Sequence, residues 1–283
     1  MAAAATGAPA ARAPAPDPHG DGVLRARRRA EHRQRALWRA AGYVFFLGLW
    51  QLTSTYLVDE FIVPPPAVIL AEMADIVASG ELWTHFAVTL RTIVVGFAIA
   101  YVLGLSLGLL IGRSRWWEAF LGDGVMATMT TPGLVFALVT AMIFGLGPVG
   151  PIVAVIVTSF SYVTVNVVEG VKAVPRDLVD MSSAFRRSRW QVIRHVYLPF
   201  LAPYLFTATR YGFSISWKIA TLAEVIVGTA GIGFMMRRTF QEFSMAGFLS
   251  WVLLFFAFAL FLERAVLQRQ MRHVLRWRPE VSA

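Results

Sequence analysis

The chain has 283 residues, 57% of them hydrophobic and only 15% charged, a balance that a water-soluble domain of this length does not reach. Without a single cysteine it carries no disulfide, no thiolate metal site and no cysteine nucleophile. The formal net charge of +9 would suit nucleic acid, but in so apolar a chain it reads as basic cytoplasmic loops, and no nucleic-acid partner is expected.

Residues 1–22 are rich in Ala, Pro, Gly and Asp without apolar periodicity, which predicts disorder, and a basic cytoplasmic tail is expected over 1–36. Arg25, Arg27, Arg28, Arg29, Arg33, Arg35 and Arg39 then precede an apolar run over 40–58. That run is long for a cleavable leader and ends without an A-x-A site, so it reads as an uncleaved first span with its N-terminus inside. A spanning helix needs about 20 mostly apolar residues. The candidates are 38–58, 86–112, 119–144, 150–172, 199–227 and 246–266. The expected fold is therefore all-α, a polytopic membrane helical bundle of about six spans. Its transmembrane domain would cover 37–266, followed by a basic cytoplasmic tail over 267–283.

Charge sets the orientation. The first segment, the Arg113/Arg115 turn, residues 172–195 and the tail from Arg264 to Arg278 are basic, and six spans would place all of them in the cytoplasm. Residues 59–85 carry Asp59, Glu60, Glu72, Asp75 and Glu81 with no Lys or Arg, as an outer segment should. Arg237 and Arg238 are the exception, in the last outer loop. A multi-pass protein of the cell membrane with both termini cytoplasmic follows. Pro64-Pro65-Pro66, followed by Val68, Ile69, Met73, Ile76 and Val77, predicts a short amphipathic helix started by proline on the outer surface. Gly104, Gly108 and Gly112 form a small-residue stripe that lets another helix approach closely.

Polar side chains at membrane depth are costly unless paired or wet. In the fifth span Thr207, Arg210, Ser214, Trp217, Thr221 and Glu224 recur at helical steps, with Lys218 beside them. In the fourth, Thr158, Tyr162, Asn166 and Glu169 do the same. The two helices are expected to line a polar passage. The alternative is that Arg210 and Glu224 sit near the membrane ends while hydroxyls bond backbone carbonyls. The five histidines have no ligand spacing, so neither a metal nor another cofactor is expected.

Between the fourth and fifth spans, residues 175–199 hold an apolar ridge of Leu178, Met181, Ala184, Phe185, Trp190, Ile193 and Val196 among Arg176, Asp177, Asp180, Arg186, Arg187, Arg189 and Arg194. This predicts two short helical pieces broken near 186–188. An exposed ridge of this kind docks either on lipid headgroups or in a partner's groove. The stretch resembles the cytoplasmic coupling loop of binding-protein-dependent ABC importer permeases, whose signature is E-A-A-x-x-x-G ending in L-P. Anchored on Leu198-Pro199, the signature places Asp180, Met181 and Ser182 at E-A-A and Arg186 at the glycine. Asn166, Gly170, Val174-Pro175 and Ser188-Arg189-Trp190 match its surroundings. Further pieces are similar to the nitrate/taurine/sulfonate branch: Val63 to Pro66, Gly80-Glu81-Leu82, Thr89-Leu90-Arg91, Gly96-Phe97, Gly145-Leu146-Gly147, Trp217 to Glu224, Gly231 to Phe234, and Leu275 to Pro279. The resemblance covers roughly residues 45–279, in order. Both alanines and the glycine of the signature are replaced; a left-handed turn that glycine permits would cost arginine.

The resemblance implies a type I (MetI-like) permease architecture with a coupling loop over 173–198. It implies a separate ATPase pair, a second copy or homologous permease, and an extracellular solute-binding protein as partners, besides the lipid bilayer. It also implies that Asp180, Met181, Ser182, Phe185, Arg186, Trp190 and Pro199 contact the ATPase. Tyr162, Asn166, Arg210, Ser214, Trp217, Lys218, Thr221 and Glu224 are the expected solute pathway. No G-x-x-x-x-G-K-[ST] motif occurs, since Lys172 and Lys218 are followed by Ala173 and Ile219, so ATP must be hydrolysed by another subunit. The expected function is inward transport of a small polar or anionic nutrient, with no enzymatic centre of its own. A stand-alone channel or secondary transporter would be expected to show inverted repeats, which are not evident. A non-transporting scaffold is the remaining alternative.

Overall fold

The computed structural model describes residues 18–59 and 61–263. The expected tail over 267–283, the Leu275 to Pro279 motif and the first 17 residues lie outside them. The chain divides into two units, one ending at Val58 and the other beginning at Asp59.

Among the described residues, the first unit consists of one helix, α1 (Pro18–Tyr56). It begins inside the stretch expected to be a disordered tail. Ala, Arg, Leu and Glu, all good helix formers, make up most of residues 23–40 once Pro18 has opened the helix.

The second unit is built around three long helices. These are α3 (Glu81–Arg113), α6 (Val149–Lys172) and α9 (Leu198–Val227). Gly96, Gly104, Gly108 and Gly112 of α3 lie against Val155, Val163, Val167 and Val171 of α6. Both series ascend together, so α3 and α6 run parallel. A methyl group added at Gly104 or Gly108 would come within 2.6 Å of the opposing valine Cβ, so the expected small-residue stripe is a contact that only glycine permits. α9 runs the other way. Its Tyr204 meets Gly170, its Gly212 meets Val163, and its Ser216 Oγ lies 2.8 Å from Ser159 Oγ. Arg113 and Lys172 therefore share one end of the bundle with the start of α9, and Glu224 lies at the other end.

The remaining helices pack on this trio. The helix α2 (Pro66–Ala78) starts with proline at its first turn, as predicted. It buries Ile69 and Ile76, and Ser250 of α11 (Met245–Leu262) donates to the Ile69 carbonyl at 3.1 Å. The expected single span over 119–144 is two helices, α4 (Arg115–Thr130) and α5 (Gly133–Phe144), bent by 98°. Pro132 lacks the N–H that would continue α4 and drives Thr131 into extended backbone, which ends the helix. Lys172, at the end of α6, forms an ion pair with Glu118 on α4.

By length and composition, three described helices can cross a membrane: α3, α6 and α11. Counting each bent pair as one span, α4 with α5 and the α9 rod with α10 (Ile232–Gln241), raises this to five. Thus the helical bundle is as expected, but the first candidate, 38–58 in α1, is not among these. Gln51, Thr53, Ser54 and Thr55 dilute its apolar character.

Candidate functional site

The predicted two-piece elbow is present. α7 (Arg176–Ala184) starts after Pro175 and α8 (Arg189–Val192) after Ser188. The turn between them ends α7 as a Schellman motif. The Arg186 amide donates to the Ser183 carbonyl at 2.9 Å and the Arg187 amide to the Ser182 carbonyl at 3.0 Å. Arg186 sits at φ +50°, the left-handed position that glycine normally fills. So the turn expected of the signature is kept although its glycine is lost, at a cost of about 1–2 kcal/mol. Ser188 and Gln191 then form a reciprocal capping box that starts α8.

Met181, Phe185, Trp190 and Ile193 are exposed on the elbow by 51%, 70%, 67% and 49%, an apolar ridge with Asp180 and Arg186 beside it. Ser182 does not belong to the ridge. Its side chain is buried and donates back to the Leu178 carbonyl at 2.7 Å. A π-helical turn, Ile193–Tyr197, joins α8 to α9 without a break, so Pro199 lies within one continuous rod instead of ending a segment. The wider winding comes just before two prolines, Pro199 and Pro203, that cannot donate to the preceding turn.

Several polar residues of α6 and α9 bond back within their own helices. The seam between these helices is closed by Gly170, Gly212, Ser159 and Ser216, because small residues let the backbones meet. Asn166 is half-buried and donates to its own helix at the Tyr162 carbonyl, 2.8 Å away. Thr207 and Thr221 likewise bond back to Pro203 and Trp217. Ser214 and Tyr162 are half-buried, and Arg210 and Lys218 are exposed. Trp217 packs on Phe255 of α11, with ring centroids 5.4 Å apart, and carries the Lys218 ammonium at 5.5 Å.

Glu224 is placed quite differently. It is 1% exposed, and its Oε2 accepts from Thr89 Oγ1 at 2.7 Å and from the Gly233 amide at 3.2 Å. Thr89 in turn accepts from the Ile232 amide at 2.9 Å, and His85 Nδ1 accepts from the Gly231 amide at 3.1 Å. Three successive amides that open α10 are thus satisfied by side chains from α3 and α9, as a helix start requires. Gly231 is at φ +109°, and any side chain there would overlap the Glu224 carboxylate. The partners of Glu224 are thus Thr89 and the α10 backbone. Arg237 completes the junction by donating to the Ile226 and Gly228 carbonyls, both at 2.7 Å, at the C-terminal end of α9. Arg238 pairs with Glu242. The basic exception in the outer loop is therefore one helix cap and one surface ion pair. The sequence assigned no partner to His85 or to Thr89, the latter only part of a family-like piece; their spacing of four on α3 was the available signal.

The model of a family described as binding-protein-dependent transport system inner membrane component matches residues 100–276. The chain belongs to this family. It is the permease component of an ABC importer, a transport subunit. Curated relatives agree with the branch suggested by the sequence. The riboflavin transport system permease RibX of Chloroflexus aurantiacus is 29% identical over 76% of this chain and 82% of its own. The taurine transport system permease TauC of Escherichia coli is 26% identical over 82% and 86%. The bicarbonate transport system permease CmpB of Synechococcus elongatus is 28% identical over 70% of each. The fold of the permease is similar to a chain of the inward-facing MetNI methionine ABC transporter. The TM-score is 0.59 at 19% identity, covering 69% of this chain and 97% of that one.

Proposed function

We propose that this permease works as one of two membrane subunits, driven by a separate ATPase pair that docks on the elbow and supplied by an extracellular binding protein. The observation that carries this reading is the exposed ridge of Met181, Phe185 and Trp190, held on a capped turn that leads without interruption into α9. A rod continuous from Arg189 to Val227 can carry a displacement of the elbow to the Glu224 junction, where α9 bends by 42° into α10. Coupling then requires that nucleotide-bound and nucleotide-free ATPase make different contacts with the ridge. Asp180, Met181, Phe185, Arg186 and Trp190 form the docking surface in this reading. Ser182 and Pro199 support it from within.

The orientation is cytoplasmic for the elbow and for both termini. Arg113, Arg115 and Lys172 cluster at the elbow end, while the acidic segment over 59–85 leads into the opposite end of α3. The solute passes along the face that carries exposed Arg210 and Lys218, with Tyr162, Asn166 and Ser214 near it, against the second permease. Trp217, Thr221 and Glu224 hold that face in place. Two cations favour a small anionic or strongly polar solute. The named cargoes of two relatives, taurine and bicarbonate, are of that kind.

The experiment is a double substitution, Phe185→Ala with Arg186→Glu, in cells carrying the whole transport system. We expect uptake and co-purification of the ATPase to be lost while the permease still inserts in the membrane. Survival of both uptake and co-purification would refute the docking assignment.

A further inference from the structure

Between α3 and the junction of α8 with α9 runs a groove of about 730 Å³; of the exposed ridge only Ile193 borders it, and Met181, Phe185 and Trp190 do not. Its depth is apolar. Leu105 and Leu109 of α3 stand opposite Leu201 and Leu205 of α9. Its mouth is cationic: Arg113 closes the last turn of α3, and Arg187 and Arg189 come from the elbow. Leu105, Leu109 and Arg113 follow one another at four-residue steps, so one face of α3 changes from apolar to cationic where the span ends. No Asp or Glu lines the groove, and none of these arginines is in an ion pair among the described residues.

A soluble partner can reach the mouth but not the leucines, which lie within spanning helices. A neighbouring membrane helix can cover the leucines but has no need of three unpaired arginines. An amphiphile with an apolar chain and an anionic head answers both ends, since arginine binds phosphate oxygens in a two-pronged, charge-assisted way. We propose that the groove holds an anionic phospholipid, its acyl chain along Leu105, Leu109, Leu201 and Leu205 and its headgroup phosphate against Arg113, Arg187 and Arg189. The bound lipid ties the end of α3 to the elbow, so that the headgroup bridges a spanning helix and the segment assigned to coupling. The site itself depends only on the fold; assigning it to the cytoplasmic leaflet rests on the orientation proposed above.

The test is native mass spectrometry and lipid extraction of the full chain after exchange into bilayers of phosphatidylglycerol and phosphatidylcholine. We expect phosphatidylglycerol to be retained at least about tenfold over phosphatidylcholine, with roughly fivefold lost for each arginine neutralised. Arg113→Gln alone should show that partial loss, and the triple variant with Arg187→Gln and Arg189→Gln should lose the preference. Leu109→Trp, which fills the apolar depth, should exclude lipid of either kind while ATPase co-purification persists. Equal retention of the two lipids would overturn the proposal, as would a triple variant that keeps phosphatidylglycerol. Displacement by millimolar inorganic phosphate would also overturn it, by showing a site for a free anion. If instead the elbow double substitution leaves the ATPase bound, the docking assignment fails and the lipid result stands by itself.

Discussion

At Glu224 a carboxylate with 1% exposure accepts from Thr89 and from the Gly233 amide, so two donors depend on one side chain. Replacing it by alanine leaves a backbone N–H at the start of α10 without its acceptor, which costs about 1–3 kcal/mol. Glu224→Gln retains a side-chain oxygen at the same reach and should lose less. Thermal unfolding of the purified chain in detergent would rank them wild type, Gln, Ala. Equal losses for the two variants would mean that the charge matters and the acceptor geometry does not. Arg186 shows the converse situation, a residue whose conformation is set by its surroundings. The Schellman bonds from the Arg186 and Arg187 amides hold a turn that the side chain disfavours. Anchoring the signature on Leu198-Pro199 put Arg186 at its glycine position, and Arg186 is in the left-handed conformation that glycine favours.

Among the elements, the α3 and α6 pair meets along a row of four glycines whose contacts leave no room for a methyl group. Gly108→Ala would press a methyl group to 2.6 Å from Val167 Cβ, whereas Gly122 in α4 has nothing within 4 Å of the same position. Alanine raises helix propensity at both sites by about 0.5–1 kcal/mol. The two substitutions should therefore have opposite signs. Gly122→Ala is expected to stabilise slightly, and Gly108→Ala to destabilise by about 1–3 kcal/mol because overpacking outweighs propensity. Thermal unfolding in detergent measures both, and a stabilised Gly108→Ala would mean the helices can separate freely. The bend at Pro132 belongs to this scale as well. The Pro132-Gly133 pair was present in the sequence, but hydropathy averaged over 119–144 masks a local break.

For the whole molecule, the parallel pairing of α3 with α6 fixes which ends lie together, and that makes the membrane orientation testable in a chain without cysteine. Ser79 and Ser183 are both exposed and lie at opposite ends of the bundle. In intact cells a membrane-impermeant maleimide should label Ser79→Cys at once and Ser183→Cys only after the membrane is opened. The reverse pattern would invert the orientation and move the elbow outside.

Apolar run lengths, proline positions and arginine placement are local properties, and from them the sequence alone determined an all-α membrane bundle, the start of α2 at Pro66 and the two-piece elbow. Helical periodicity likewise placed Thr207 to Glu224 on one face. It did not say what that face meets, because a repeat along one helix carries no information about the direction of its neighbours. Only the tertiary structure decided that Glu224 bonds Thr89, 135 residues away, that Trp217 packs on Phe255, and that the α6 and α9 seam is closed by Gly and Ser. Those partners are chosen by which backbones can approach closely, and close approach depends on small residues from two distant segments arriving at the same height.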